Sequence, residues 1–177
     1  MKRLVLVMAA LLVSGCGLRE GIEPAGEPDA FSMVTSVTRP SVELVDWMDT
    51  ICGLTDWLAD TSEAGRAVRE AEDADEYLTT AVVYVDTRLA QLTSLPATHT
   101  DGDTLATNLR TALETARPRI VTLTTGSRTA ALPDKLGRVA EVAALLDQAH
   151  AAGPSIIDLI TEDPVLDTAH TMARGCG

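Results

Sequence analysis

The chain has 177 residues, a formal net charge of −12 and five aromatic side chains. That balance excludes a nucleic-acid footprint, which needs clustered Lys and Arg, and it leaves too few rings for a sugar-stacking platform. Anionic lipid head groups would repel such a surface, so any hold on a membrane has to come from something other than the protein's charge.

The first fifteen residues read as an export signal. Lys2 and Arg3 precede an unbroken apolar run of ten residues, Leu4 to Val13. The run is too short to span a bilayer, which takes ~20 apolar residues, and it suits the h-region of a signal peptide. Val13-Ser14-Gly15-Cys16 follows and resembles the bacterial lipobox. The resemblance implies cleavage just before Cys16, with lipid carried on the Cys16 thiol. Two acyl chains suffice for stable anchoring where one does not. The plainer alternative is an ordinary signal peptide with a chance cysteine. The expected address is the extracytoplasmic face of the cell membrane, held by the lipid anchor, and removal of Lys2 and Arg3 makes the remaining chain more acidic still.

Residues 16–40 hold the lipidated cysteine and a flexible linker. Gly17, Gly21, Pro24, Gly26 and Pro28 alternate there with charged residues, without a sustained apolar period. Residues 41–177 are long enough for one domain with its own core. With Cys16 committed to lipid, Cys52 and Cys176 remain as a pair in a compartment where a disulfide persists, and a disulfide is expected over the alternative of separate thiols. Such a bond contributes ~5 kcal/mol in the chain-entropy model. Their wide spacing does not suit a zinc site.

Helical period dominates the domain. Leu44, Trp47, Met48, Ile51, Leu54 and Leu58 form one face of a first helix, with Cys52 at its margin and Trp57 on the opposite flank. Asp60-Thr61-Ser62-Glu63 carries capping-box chemistry, so a second helix is expected from about Ser62 to Leu92, acidic at Glu70–Glu76 and apolar at Leu78, Val82, Val85, Leu89 and Leu92. Val82-Val83-Tyr84-Val85 is β-prone, but the long stripe outweighs it. Leu95 to Asp103 reads as a loop, with Thr100 and Asp103 at capping spacing. A third stripe follows at Leu105, Leu109, Leu113, Ala116, Ile120 and Leu123, and Pro118 should kink or end it. After a Thr- and Gly-rich connection, Leu136, Val139, Val142, Ala143 and Leu146 mark a fourth helix, broken at Gly153-Pro154. Ile156 to Ile160 is a short apolar sequel, and Asp163-Pro164 starts a last short helix that returns Cys176 to the body. The expected fold is all-α: an antiparallel bundle of about four main helices plus a short C-terminal helix.

Trp47 and Cys52 in the first helix, Ala-, Leu- and Asp-rich helices after it, and Cys176 at the end resemble the pattern of actinobacterial small secreted proteins and lipoproteins of unknown function. Twelve arginines against two lysines agree with a GC-rich genome. The resemblance implies a helical fold with the two cysteines joined, and it implies no activity.

Candidate chemistry is sparse. Asp147-Gln148-Ala149-His150 and Asp167-Thr168-Ala169-His170 repeat a spacing that puts Asp and His on one helix face, as in dinuclear metal bundles. Asp is short for that role, and the other helices offer no matching inward carboxylates, so the pairs read as surface and no metal is expected. His99-Thr100-Asp101-Gly102-Asp103 lacks the further ligands of a calcium loop and reads as a turn and helix cap. Glu70–Glu76 reads as a solvated face. No nucleophile elbow or phosphate loop occurs; neither a catalytic residue nor a cofactor is nominated. The expectation is a non-enzymatic interaction module for an envelope or exported protein partner. The alternative is a carrier for a small or apolar ligand between its helices.

Overall fold

A computed structural model describes residues 39–152 and 155–176. The expected signal peptide, Cys16, nearly all of the expected linker and the expected break at Gly153-Pro154 lie outside the described residues. Six α-helices form the described chain, and no strand occurs in it: α1 (Val42–Ala67), α2 (Ala71–Ser94), α3 (Thr100–Thr124), α4 (Leu132–His150), α5 (Ile156–Glu162) and α6 (Pro164–Met172). The fold is therefore the all-α bundle that the stripes require. None of these helices is long and apolar enough to cross a membrane.

Several helix ends have a local cause. The Ser41 hydroxyl accepts from the Leu44 N–H at 3.1 Å and starts α1. Arg69 donates to the carbonyls of Arg66 and Val68, both at 2.6 Å, and so satisfies acceptors left open at the end of α1. Helix α2 opens with Glu72 and Asp73 in its first turn, where acidic groups favour the helix dipole. It stops at Ser94 because Pro96 forces Leu95 into an extended conformation. Pro133 occupies the first turn of α4, where its missing N–H costs nothing. Asp163 caps α6 as expected, accepting from the N–H groups of Val165 at 2.7 Å and Leu166 at 3.3 Å.

Three boundaries differ from the sequence reading. Asp60-Thr61-Ser62-Glu63 does not start a helix: α1 runs through it to Ala67, and α2 starts nine residues after Ser62, at Ala71. The Ser62 hydroxyl is drawn away from capping because it is fully buried and donates to Asp147 of α4 at 2.5 Å. Thr100 is the first residue of α3 rather than its cap; His99 holds the cap position without a side-chain capping bond, and Asp103 reaches back to the Thr98 N–H at 3.3 Å. Pro118 does not end α3, which continues to Thr124. Its ring is exposed, and Ala116 and Ile120 on either side remain buried, so core packing carries the helix across the lost hydrogen bond.

The helices alternate in direction. Trp57 meets Tyr84 and Thr61 meets Tyr77, which sets α1 and α2 antiparallel. Arg117 pairs with Asp86 across α3 and α2, Arg119 with Glu141 across α3 and α4, and Arg66 with Asp147 across α1 and α4. Helix α4 packs against α1, α2 and α3, whereas α1 and α2 touch much less. Beyond the end of α4, α6 and the 3₁₀ turn Arg174–Cys176 cover the first half of α1. The core holds the expected residues of the first and third stripes and most of the second and fourth, with Leu54, Leu58, Leu78, Leu109, Leu113 and Leu146 fully buried, whereas Val82, Leu89 and Leu136 are only half-buried. Truncating any of these to Ala should cost about 2–5 kcal/mol. Gly102 admits the Trp47 ring, because a Cβ there would lie 2.7 Å from the indole.

Candidate functional site

Several concavities open among the described residues, and two stand out by their side chains, one by the disulfide and two histidines, the other by two tyrosines and three carboxylates. The first lies at the base of the bundle, where Cys52, Cys176, His150 and His170 come together. Cys52 and Cys176, 124 positions apart, are joined as a disulfide between α1 and the final 3₁₀ turn. Gly175 assists that return: its N–H donates to the Asp49 carboxylate at 2.6 Å, and a Cβ there would sit 2.9 Å from the Asp49 carbonyl oxygen. The cavity has a volume of about 600 Å³ and is lined by the disulfide, Thr55 and Asp56 of α1, His150, Ile156 and His170 among others.

The two Asp-x-Ala-His pairs are split by the fold. Both histidines reach this cavity, but Asp147 turns to α1, where it accepts from Ser62 and Arg66. The Ser62 hydroxyl, and then Arg66, hold the Asp147 carboxyl below the usual carboxylate range. Asp167 is exposed on α6. Among the described residues, one cluster has metal-ligand geometry: a ring nitrogen of His170 and the sulfurs of Cys52 and Cys176 lie within 4.8 Å of one another. The sulfurs are bonded to each other, so neither is a thiolate, the form that binds a metal.

His99 and the acidic segment also take structural roles. His99 Nε2 lies 2.9 Å from Asp163 Oδ2 and ties the start of α3 to the α6 cap. The Asp163 carboxyl is held below the usual carboxylate range by the Val165 N–H first, with the His99 contact adding to it. Within Glu70–Glu76, Asp75 pairs with Lys135 of α4, which is 95 % buried, so the segment is not solely a solvated face. One Asp75 oxygen is left without a partner.

The second concavity is a groove of about 410 Å³ between the end of α1 and the start of α2. Ala64, Val68, Ala81 and Tyr77 form its apolar part, Tyr84 stands at one end, and Asp60, Asp73 and Glu76 line it with carboxylates. Tyr77 owes its position to Gly65: a Cβ there would lie 2.5 Å from the phenol oxygen. The phenol donates to the Thr61 carbonyl at 3.1 Å, and burial pushes its pKa up to about 12. Beside the groove, the Trp57 and Tyr84 rings meet edge to face at 6.3 Å, and the Arg88 guanidinium lies 5.5 Å from the Trp57 ring centroid. No protein-family model, curated protein or solved structure matches this chain.

The groove was missed in the sequence because it follows no apolar stripe. Tyr77 and Tyr84 are seven positions apart on the flank of α2, one residue ahead of Leu78 and Val85. That repeat of aromatic residues beside a core stripe was the available signal. Buried Lys135 had no such signal, since it adjoins the expected core position Leu136, which is only half-buried.

Proposed function

We propose that the protein is a lipoprotein anchored through Cys16 on the extracytoplasmic face of the cell membrane, a non-enzymatic helical module that engages an envelope component or another exported protein. What supports the reading is the Val13-Ser14-Gly15-Cys16 sequence, and what carries the binding role is the open α1–α2 groove. The α1–α4, α2–α3, α3–α4 and α2–α4 pairs are each bridged by an ion pair. Among the described residues, none bridges α1 and α2, and aromatic and apolar surface stays accessible there. The resemblance to actinobacterial secreted proteins belongs to the same proposal.

Two measurements test it. Labelling with an alkyne fatty acid in a host that makes lipoproteins should tag the chain, and Cys16→Ala should abolish the tag; equal labelling of the variant would sink the anchor. A photo-crosslinking residue placed at Thr80 should capture a reproducible protein partner on intact cells. Scanning further exposed positions of α1 to α4 and finding no partner anywhere would remove the interaction reading.

A second reading rests on the base cavity, whose roughly 600 Å³ and mixed lining of Leu105, Ile156, Thr55 and two histidines suit a small amphipathic molecule. Native mass spectrometry of the chain purified from its host would show a stoichiometric extra mass for a carrier, and a bare mass would exclude it.

A further inference from the structure

The α1–α2 groove has an electrostatic character that its apolar surface does not require. Asp60, Asp73 and Glu76 line it, no Lys or Arg does, and none of the three carboxylates takes part in an ion pair among the described residues. The arginines of α1, of the α1–α2 connection and of α2 are engaged elsewhere. Arg66 faces Asp147 on the α4 side, Arg69 donates to backbone carbonyls, and Arg88 lies over Trp57. Tyr84, 48 % exposed, continues the aromatic face that already receives the Arg88 guanidinium. An aromatic surface that holds one cation, beside a trough lined by three uncompensated carboxylates, suits ligands that bring both positive charge and apolar surface.

We propose that this groove docks a Lys- or Arg-bearing apolar segment of a partner protein. The inference rests on the binding-module reading and gives the partner its chemistry. Charge complementarity selects this occupant over the others. A second copy of the chain, at −12, would bring like charge to the groove. The chain's own linker is no better, since Glu20, Glu23, Glu27 and Asp29 outnumber Arg19 and Arg39. The groove spans eleven steps of α2, from Asp73 to Tyr84, or roughly 16 Å along the helix. That length takes about three turns of a partner helix, with apolar side chains against Val68, Ala81 and Tyr77 and basic ones toward the carboxylates.

The test is calorimetric titration of the full chain with a twelve-residue amphipathic peptide of Leu and Lys, beside the same peptide with Glu for Lys. The Lys peptide should bind and the Glu peptide should not. A triple variant, D60N/D73N/E76Q, should weaken binding about tenfold, since each exposed charge pair contributes roughly a factor of two to five, and added salt should weaken the parent in the same direction. All three sites are exposed, so the variant should lose no more than about 1 kcal/mol, the share of the Asp73 charge at the start of α2. Should melting fall, Tyr84→Ala supplies the second probe, with an expected several-fold loss of Lys-peptide affinity. No binding of the Lys peptide, or equal binding by parent and triple variant, overturns the inference. If crosslinks on cells then map a partner to another face, the module reading survives without this groove; if they find no partner on any face, both fall.

Discussion

Helix α1 meets α4 along one side and α2 along the other, and the two seams are built differently. Toward α4, Gly65 approaches Ala143 closely, Ser62 is buried against Asp147, and Arg66 closes the edge. Toward α2, a single hydrogen bond from Tyr77 to Thr61 and an edge-to-face contact of Trp57 with Tyr84 stand in for a packed seam. Polar side chains on the first seam are spent on each other. Those on the second, Asp60, Asp73 and Glu76, face solvent without partners. A bundle needs closed seams to exclude water from its core, so a seam left open beside closed ones is where a surface is free for another molecule.

The comparison can be broken most forcefully at the base. Cys52→Ser with Cys176→Ser should lower unfolding free energy by about 3–5 kcal/mol in denaturant titration, since the bond closes a loop spanning 124 positions. A loss under ~1 kcal/mol would mean that packing of α6 on α1 already holds the base.

Next comes the buried pair between α4 and α2. Asp75→Ala leaves the Lys135 ammonium without its counter-charge and should cost about 3–5 kcal/mol, whereas Asp75→Asn combined with Lys135→Met, which removes both charges, should be close to neutral. Equal losses from the two would show that the pair, rather than the stranded lysine, matters.

Gly65→Ala acts on both seams of α1, because a Cβ there meets Tyr77 on one side and Ala143 on the other. The overpacking should cost about 1–3 kcal/mol. Spectrophotometric titration should show the tyrosine that ionises near 12 moving back toward 10. An unchanged titration would mean that Tyr77 keeps its place and the groove does not depend on Gly65.

Smaller effects are expected at the α6 cap and in the groove. Asp163→Ala should cost about 1 kcal/mol near neutral pH. The Asp163 carboxyl ionises below its ordinary range when folded, so its contribution is present above an unfolded value of about 3.9 and is lost as pH falls through the lowered folded value. Parent and variant should therefore converge once pH falls below the lowered folded value, and a gap that persists in acid would assign the cost to packing. Tyr84→Ala should cost less than ~1 kcal/mol, since the ring is half-exposed and loses one aromatic contact. A larger loss would make Tyr84 part of the scaffold rather than an available surface.

Most of the fold was legible because long helices repeat their apolar residues at fixed intervals, and burial selects those residues wherever the helix is placed. Leu44 to Leu58, Leu105 to Leu123 and the Asp163-Pro164 start all stand where the pattern puts them. The errors fall where one residue has two uses. Ser62 has cap chemistry and also suits a buried hydrogen bond, and only Asp147, 85 positions away, decides between them. Pro118 is locally a breaker, yet buried neighbours on both sides keep α3 intact. The candidate residues fared likewise: the joining of Cys52 to Cys176 could be anticipated, whereas the separation of Asp147 from His150 and the assembly of the α1–α2 groove could not.

The amino-acid sequence by itself determined the helical class, most of the core faces and the pairing of the two domain cysteines, because these depend on periodicity, local capping and the presence of just two cysteines in residues 41–177. Tertiary structure alone decided which seam closed and which stayed open. Seam closure depends on the fit of side chains from helices distant in the chain, and a Tyr against a Gly or a Lys against an Asp leaves no periodic trace in either helix.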